Sequence, residues 1–351
     1  MRGKAVTTFC SGLLVFFFVC LIGGAGAQVE SFYRGKTITI VVGYNPGDAH
    51  DLWARAYSRT MGRYIPGNPN VIVRNMPGGG TMIAANYVYG VAEPDGATLG
   101  SIFPSLYFAQ LTGRKEVKFD WGKFTWIGAP EHNGSVFYMR ADTQYKTLED
   151  IRKAAEPPKC STTAVGTASH YVPKLMEEAL KLRLNLVTGY PGGAEQDLAL
   201  ERGEVQCRAV AIATFFGREP YFTWHKKGFV RLLIQTPPQR DPKLPDVPTI
   251  FELMDKEKTS AATRLLANVI LGAGGFGSYP IVSSPGVPAE RVKILREAYT
   301  RTLKAPEFLE EAKKNRWELK PVVGEELEAL AREVVVQPPE VIERMKQLLG
   351  E

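Results

Sequence analysis

Thr37-Ile38-Thr39-Ile40-Val41-Val42, followed by Gly43-Tyr44-Asn45-Pro46-Gly47-Asp48-Ala49-His50-Asp51, decides how this chain folds. The first six residues are an unbroken, largely β-branched run, which suits a strand covered on both faces. A Gly/Pro turn follows. Trp53, Tyr57, Met61 and Tyr64 then recur at helical spacing until Pro66-Gly67-Asn68-Pro69 ends the pattern. The same unit repeats downstream. Val71-Ile72-Val73 leads through Pro77-Gly78-Gly79-Gly80 to a helix over Ala84, Ala85 and Val88 that ends near Gly90. Pro94-Asp95-Gly96 then leads to the strand Thr98–Phe103. Alternation of this kind predicts an α/β protein built on mostly parallel sheets flanked by helices.

A second unit begins after Ser135–Arg140. Thr147-Leu148-Glu149-Asp150 reads as a capping box that starts a helix. Strands are expected at Cys160–Val165, Leu184–Thr188 and Val205–Ile212, with a further one at Val230–Ile234. The C-terminal third reads as helical, broken at Tyr279-Pro280-Ile281-Val282. Its Lys/Glu alternation from Arg291 onward marks solvated faces. At 351 residues the chain exceeds the size at which single cores stop growing, so two lobes are expected.

Arg2 and Lys4 precede an uncharged run from Phe9 to Ile22, and Ala25-Gly26-Ala27 precedes Gln28. A basic start, a short apolar stretch and a small-x-small exit are the parts of a secretory signal peptide, here residues 1–27. The run falls short of the ~20 residues that cross a bilayer. Export to the periplasm is therefore expected, where a disulfide persists. Cys10 and Cys20 leave with the leader, while Cys160 and Cys207 remain, each at the start of a strand. Neighbouring strands would let the thiols bridge; otherwise they are two buried free thiols. Lys and Arg number 43 against 37 Asp and Glu, a net charge of +6 with no basic block. That excludes a nucleic-acid surface and supports a weak preference for anions.

Three glycine-bearing turns each lie between a strand and a helix. They hold Tyr44, Pro46, Gly47, Asp48, Ala49, His50 and Asp51; then Thr167, Ser169 and His170 after Gly166; then Tyr190, Gly192, Gly193, Ala194 and Asp197. Ligands of open α/β sheets bind at the carboxyl ends of strands, where such turns lie, and N–H groups at a helix start favour an anion. Ser105, Thr214 and Phe215 complete the candidate ligand set. Motifs for a nucleophile elbow, a phosphate loop or a zinc helix are missing from the chain. Asp48 with Asp51 as an acid–base pair, or His50, Asp51 and His170 as a metal site, are the weaker readings. Asp51 is read instead as a helix cap, where its charge suits the dipole. No cofactor and no metal are expected.

These residues resemble the periplasmic solute receptors of tripartite tricarboxylate transporters, the Bug receptors. The likeness rests on Tyr33-Arg34-Gly35-Lys36, Pro46-Gly47 with Asp51, Asn75-Met76-Pro77-Gly78-Gly79-Gly80 and Pro94-Asp95-Gly96-Ala97-Thr98-Leu99. It continues through Gly189-Tyr190-Pro191-Gly192-Gly193-Ala194, Leu244-Pro245-Asp246-Val247-Pro248-Thr249 and Pro285-Gly286-Val287-Pro288. The resemblance implies a two-lobed type 2 periplasmic binding protein fold with the ligand cleft between lobes. It implies lobe one at 28–140 and 247–351, and lobe two at 141–246. It also implies a monomer that closes on a small organic acid or amino-acid-like ligand and delivers it to integral membrane permease subunits. A receptor feeding a signalling kinase, or a periplasmic enzyme using Asp48, His50 and Asp51, are the alternatives. One departure stands out. The family's first loop usually carries further glycines, whereas Asp48, Ala49 and His50 follow Gly47 here. Asp48 sets a carboxylate where an anion would sit, so a protonated His50, or an amine or hydroxyl on the ligand, is expected to answer it.

Overall fold

The computed structural model describes residues 32–131, 134–163, 167–217 and 219–350. The leader and its cleavage point, together with Val165 and Gly166, lie outside the described residues. The chain begins β1 (Thr37–Val42), α1 (Ala49–Thr60), β2 (Asn70–Asn75), α2 (Met82–Gly90), β3 (Thr98–Ser101), α3 (Tyr107–Leu111) and β4 (Thr125–Ala129). It continues with β5 (Ser135–Arg140), α4 (Leu148–Lys153), β6 (Lys159–Ser161), α5 (Ala168–Leu180), β7 (Asn185–Val187) and α6 (Gly193–Glu201). Next come β8 (Cys207–Ala211), α7 (Ile212–Gly217), α8 (Tyr221–Lys226) and β9 (Val230–Gln235). The remainder is α9 (Ile250–Lys256), α10 (Ala261–Gly275), β10 (Ile281–Ser283), α11 (Ala289–Leu303), α12 (Pro306–Lys314), β11 (Val322–Val323), α13 (Gly324–Val334) and α14 (Pro339–Leu349). No helix among the described residues is long and apolar enough to cross a membrane.

Two sheets result, ordered β11-β4-β10-β3-β1-β2 and β7-β6-β8-β5-β9. In the first, β1 pairs parallel with β2 and β3, while β10 runs antiparallel to β3 and β4. In the second, β6 pairs parallel with β7 and β8, and β5 runs antiparallel to β8 and β9. β5 ends at residue 140, where the sequence reading set the boundary between lobes. It pairs through Ser135–Arg140 with β8 and β9, so it belongs to the five-stranded sheet.

Burial explains the layering. Along β1, Ile38, Ile40 and Val42 enter a core with Trp53 and Tyr57 of α1, while Val41 faces a different core. β5 behaves likewise: Val136 and Tyr138 pack with Phe215 and Tyr221, whereas Phe137 and Met139 turn the other way. Both strands are therefore covered on both faces, as an apolar run without alternation requires. The layer receiving Val41 also receives Trp126 of β4, Phe137 of β5, Cys207 of β8, Met176 of α5, Ile270 of α10 and Met345 of α14. It runs unbroken across both sheets.

Local signals set the helix starts. Thr147 and Asp150 cap each other reciprocally at α4, with Asp150 N–H to Thr147 Oγ1 at 3.2 Å and Thr147 N–H to Asp150 Oδ2 at 2.8 Å. Thr249 and Glu252 repeat the device at α9. Cys160 sits directly opposite Cys207 in the parallel pairing of β6 with β8, and the two form a disulfide.

Candidate functional site

Strand direction brings the predicted turns together. β4 is followed after five residues by β5, which runs antiparallel to β8. The carboxyl end of β4 therefore meets the carboxyl ends of β6, β7 and β8. The turns after β1 and β3 face those after β6, β7 and β8 across the junction of the lobes, where an open α/β sheet places its ligand.

The first turn is held from beneath. Asp51 lies in the first turn of α1 and accepts hydrogen bonds from the Gly47 N–H (2.8 Å), Arg55 Nε (2.8 Å) and Asn75 Nδ2 (2.8 Å). Asn75 Nδ2 also reaches the Tyr44 carbonyl at 3.0 Å, so both ends of the turn are tied to one side-chain pair. Burial acts to raise the Asp51 carboxyl, but the bonds from Arg55, Gly47 and Asn75 outweigh it and hold the group below its ordinary value. Gly47 takes a positive φ of 88°, which favours glycine. The cap position itself belongs to Asp48, whose side chain makes no capping bond and stands exposed with Asn45, Pro46 and Ala49. Asp51 is thus a loop anchor rather than the cap expected from the sequence.

His50 is buried. Its Nδ1 lies 3.0 Å from Ser101 Oγ, and its ring stacks on Tyr44 with centroids 4.0 Å apart and meets the edge of Tyr279 at 4.9 Å. Burial holds its pKa down at about 3. A pKa held that low favours the neutral ring near pH 7, which leaves an amine or hydroxyl on the ligand as the expected answer to Asp48.

On the second lobe, Thr167 begins α5, and its hydroxyl lies 3.1 Å from those of Thr163 and Ser169. Ser169 also accepts from the Thr163 N–H at 3.3 Å and lies 3.3 Å from Thr162 Oγ1. His170 is buried with Nδ1 unpartnered among the described residues, and burial, then Lys174, lowers its pKa. The turn after β7 opens with Gly189 at a φ of 97°, half-buries Tyr190, Gly192 and Gly193, and exposes Ala194.

Asp197 and Phe215 are both buried. Asp197 is 4% exposed and forms an ion pair with Arg208, itself 5% exposed; Tyr221 OH donates to both Asp197 oxygens at 2.8 and 2.9 Å. Arg208 Nη1 also donates to the Gly193 carbonyl at 3.1 Å, so this pair anchors its turn as Asp51 anchors the first. Phe215 is wholly buried against Tyr138 and Tyr221. Thr214 is half-buried beside it, and Ser105 is buried just ahead of α3. Asn75, Ser101, Arg208, Tyr221 and Tyr279 were missed by the sequence reading. A charged Arg208 within the apolar run of β8 was the one legible signal.

The segments that cross between lobes carry one unusual acid. Glu131, 5% exposed, is hydrogen-bonded to Ser278, and a side chain at Gly277 would meet the Glu131 carbonyl at 2.3 Å. Burial pushes its carboxyl up to about 7. The folded protein therefore binds a proton that the unfolded chain releases near pH 4.5, and stability falls as pH rises from there toward 7. Glu131→Gln is expected to add on the order of 2–3 kcal/mol at pH 8 and almost nothing at pH 4. Urea midpoints at the two pH values check this; equal shifts at both would rule out the burial of an ionised group as the cause.

Comparison with known proteins agrees with this architecture. The UPF0065 protein of the gbd 5′ region of Cupriavidus necator is 24% identical over 332 residues, covering 92% of this chain and 90% of that protein. A TctC solute binding protein from Polaromonas, solved without ligand, superposes with a TM-score of 0.67 at 19% identity, over 91% of this chain and 99% of that one. MatC from Rhodopseudomonas palustris with bound malate gives 0.58 at 20% identity, over 90% and 99%. Likeness at such identity shows the fold. The profile of the tripartite tricarboxylate transporter family receptor matches residues 55–346, and the chain belongs to that family.

Proposed function

We propose that this protein is a periplasmic receptor that captures a small carboxylate-bearing metabolite between its lobes, closes by a hinge, and presents it unaltered to a membrane permease. One observation carries the reading. Glycine turns at the carboxyl ends of β1 and β7 are each tied to an Asp–Arg pair, at the strand ends where such sheets bind ligands. Such turns suit an anion that must be held and released. The turns Tyr44–His50 and Gly189–Ala194, with Thr167 and Ser169, are the proposed contacts. The lobes are assigned to 28–131 with 276–350, and to 135–246. Cleavage after Ala27 would deliver the chain to the periplasm.

MatC holds malate; that a carboxylate fills the present site is tested by thermal shift against mono-, di- and tricarboxylates, amino acids and aromatic acids. A ligand of the native state at a hundredfold excess over Kd adds about 2.7 kcal/mol and raises Tm. Absence of any shift, with mass spectrometry finding no molecule released on denaturation, would remove the carboxylate reading. Product appearing on prolonged incubation would make the protein an enzyme.

Asp48 is the specificity determinant of that site. Exposed and free of a capping bond, it can be replaced at little structural expense, within about 0.5 kcal/mol. Asp48→Gly is expected to favour plain carboxylates over amine-bearing ones by about tenfold or more, close to 1.4 kcal/mol. Calorimetric titration of both ligand types checks it, and an unaltered ratio would remove Asp48 from recognition.

A further inference from the structure

A cavity of about 620 Å³ lies beside the segments that cross between lobes, within the ~300–1,000 Å³ range of small-molecule sites. Residues 44–51, 167–170 and 189–197 take no part in its lining. It sits toward the β4/β11 and β5/β9 sides of the two sheets, while the ligand turns leave β1, β6 and β7 on the other side. Glu131 and Gly134 come from the connection between β4 and β5, whereas Thr236–Pro242, Gly274 and Gly275 come from the return path between β9 and β10. Phe251 of α9, Leu271 of α10 and Leu330 of α13 supply apolar wall.

Its charges are unevenly matched. Lys320 Nζ is engaged by Glu318 at 2.9 Å and by Asp241 at 3.6 Å, and Arg240 Nε by Glu252 at 3.0 Å. Glu131 is in no ion pair among the described residues, although it lines the cavity and is almost fully buried. Lys243, outside the lining, spends its ammonium on the lining residue Glu318 at 2.6 Å. A buried carboxyl inside an apolar-walled chamber, with the nearby cations committed elsewhere, is complementary to one positive charge on an apolar body.

We propose that this chamber is a second binding site, distinct from the ligand turns, for a small organic ammonium whose charge meets Glu131 and whose apolar part lies against Phe251, Leu271 and Leu330. Both connections between the sheets contribute to the chamber, so its shape depends on the angle between lobes. An occupant that prefers one angle shifts the population of the hinge.

The test titrates 2-phenylethylammonium into the protein at pH 8, with 2-phenylethanol as the uncharged analogue. The ammonium is expected to bind, and the alcohol to bind about tenfold more weakly or less. Glu131→Gln should weaken the ammonium about tenfold, and Leu271→Trp, which fills the chamber, should abolish binding while a cooperative melt persists. Asp48→Gly should leave ammonium binding unchanged. Three results would each overturn the proposal: no binding of the ammonium at millimolar concentration, equal affinity of the alcohol, or loss of binding in Asp48→Gly, which would place the amine in the ligand turns. Retained affinity in both Glu131→Gln and Leu271→Trp would overturn it as well.

Discussion

Replacing Arg208 by methionine should destabilise the protein by about 3–5 kcal/mol, the range for breaking a buried ion pair from one side. Arg208 and Asp197 are both almost fully buried, on β8 and on the helix that packs over it. With the guanidinium gone, the Asp197 carboxylate keeps the Tyr221 hydroxyl at 2.8–2.9 Å but loses its counter-charge. Pairing the change with Asp197→Leu should recover most of the loss, because the net worth of a buried pair against apolar residues is small. Urea unfolding of the single and double variants measures this. A single variant within 1 kcal/mol of the parent would show that Asp197 is neutralised by other means. The Gly193 carbonyl loses its 3.1 Å donor too, so ligand affinity should fall even where Arg208→Met remains folded.

Loss of the Cys160–Cys207 bond should be of similar size. Its sequence separation of 47 corresponds to about 4 kcal/mol of chain entropy restored to the unfolded state. The bond lies where strand pairing is least: β6 is three residues long, and its named pairing with β8 is the single position Cys160 opposite Cys207. Cys160→Ala with Cys207→Ala is expected to lower Tm sharply. Both sulfurs are fully enclosed, so a reductant should lower the melting curve only as unfolding exposes the bond, and should leave the native protein oxidised in the cold. A melting curve indifferent to both treatments would show that β6 is held by packing alone.

Particular residues show where sequence reading succeeds and stops. β1 and its turn were legible because an apolar run, a Gly/Pro break and a helical period coincide within thirty-odd residues of each other. β4 was not. Its Thr125-Trp126-Ile127-Gly128-Ala129 holds a glycine where a side chain would strike the Tyr299 ring at 2.6 Å, a demand set by a residue far along the chain. β5 has a strand pattern, but no local feature says which sheet a crossing strand joins. The cysteines were left open for the same reason, since register fixes their distance. Burial lowers the pKa of His50, and Asp197 is enclosed with Arg208 and Tyr221, partners far from it in local pattern. The positions of the turns followed from local pattern; the facing of each side chain did not.

The core layer that passes from Val41 and Trp126 through Phe137 and Cys207 to Met176 and Met345 belongs to neither lobe. Melting one lobe would strip apolar cover from the other, so the two lobes are expected to unfold in one cooperative step. Residues 135–246 excised as a fragment would present the inner faces of α5 and β5 bare to water, as an aggregating surface rather than half a receptor.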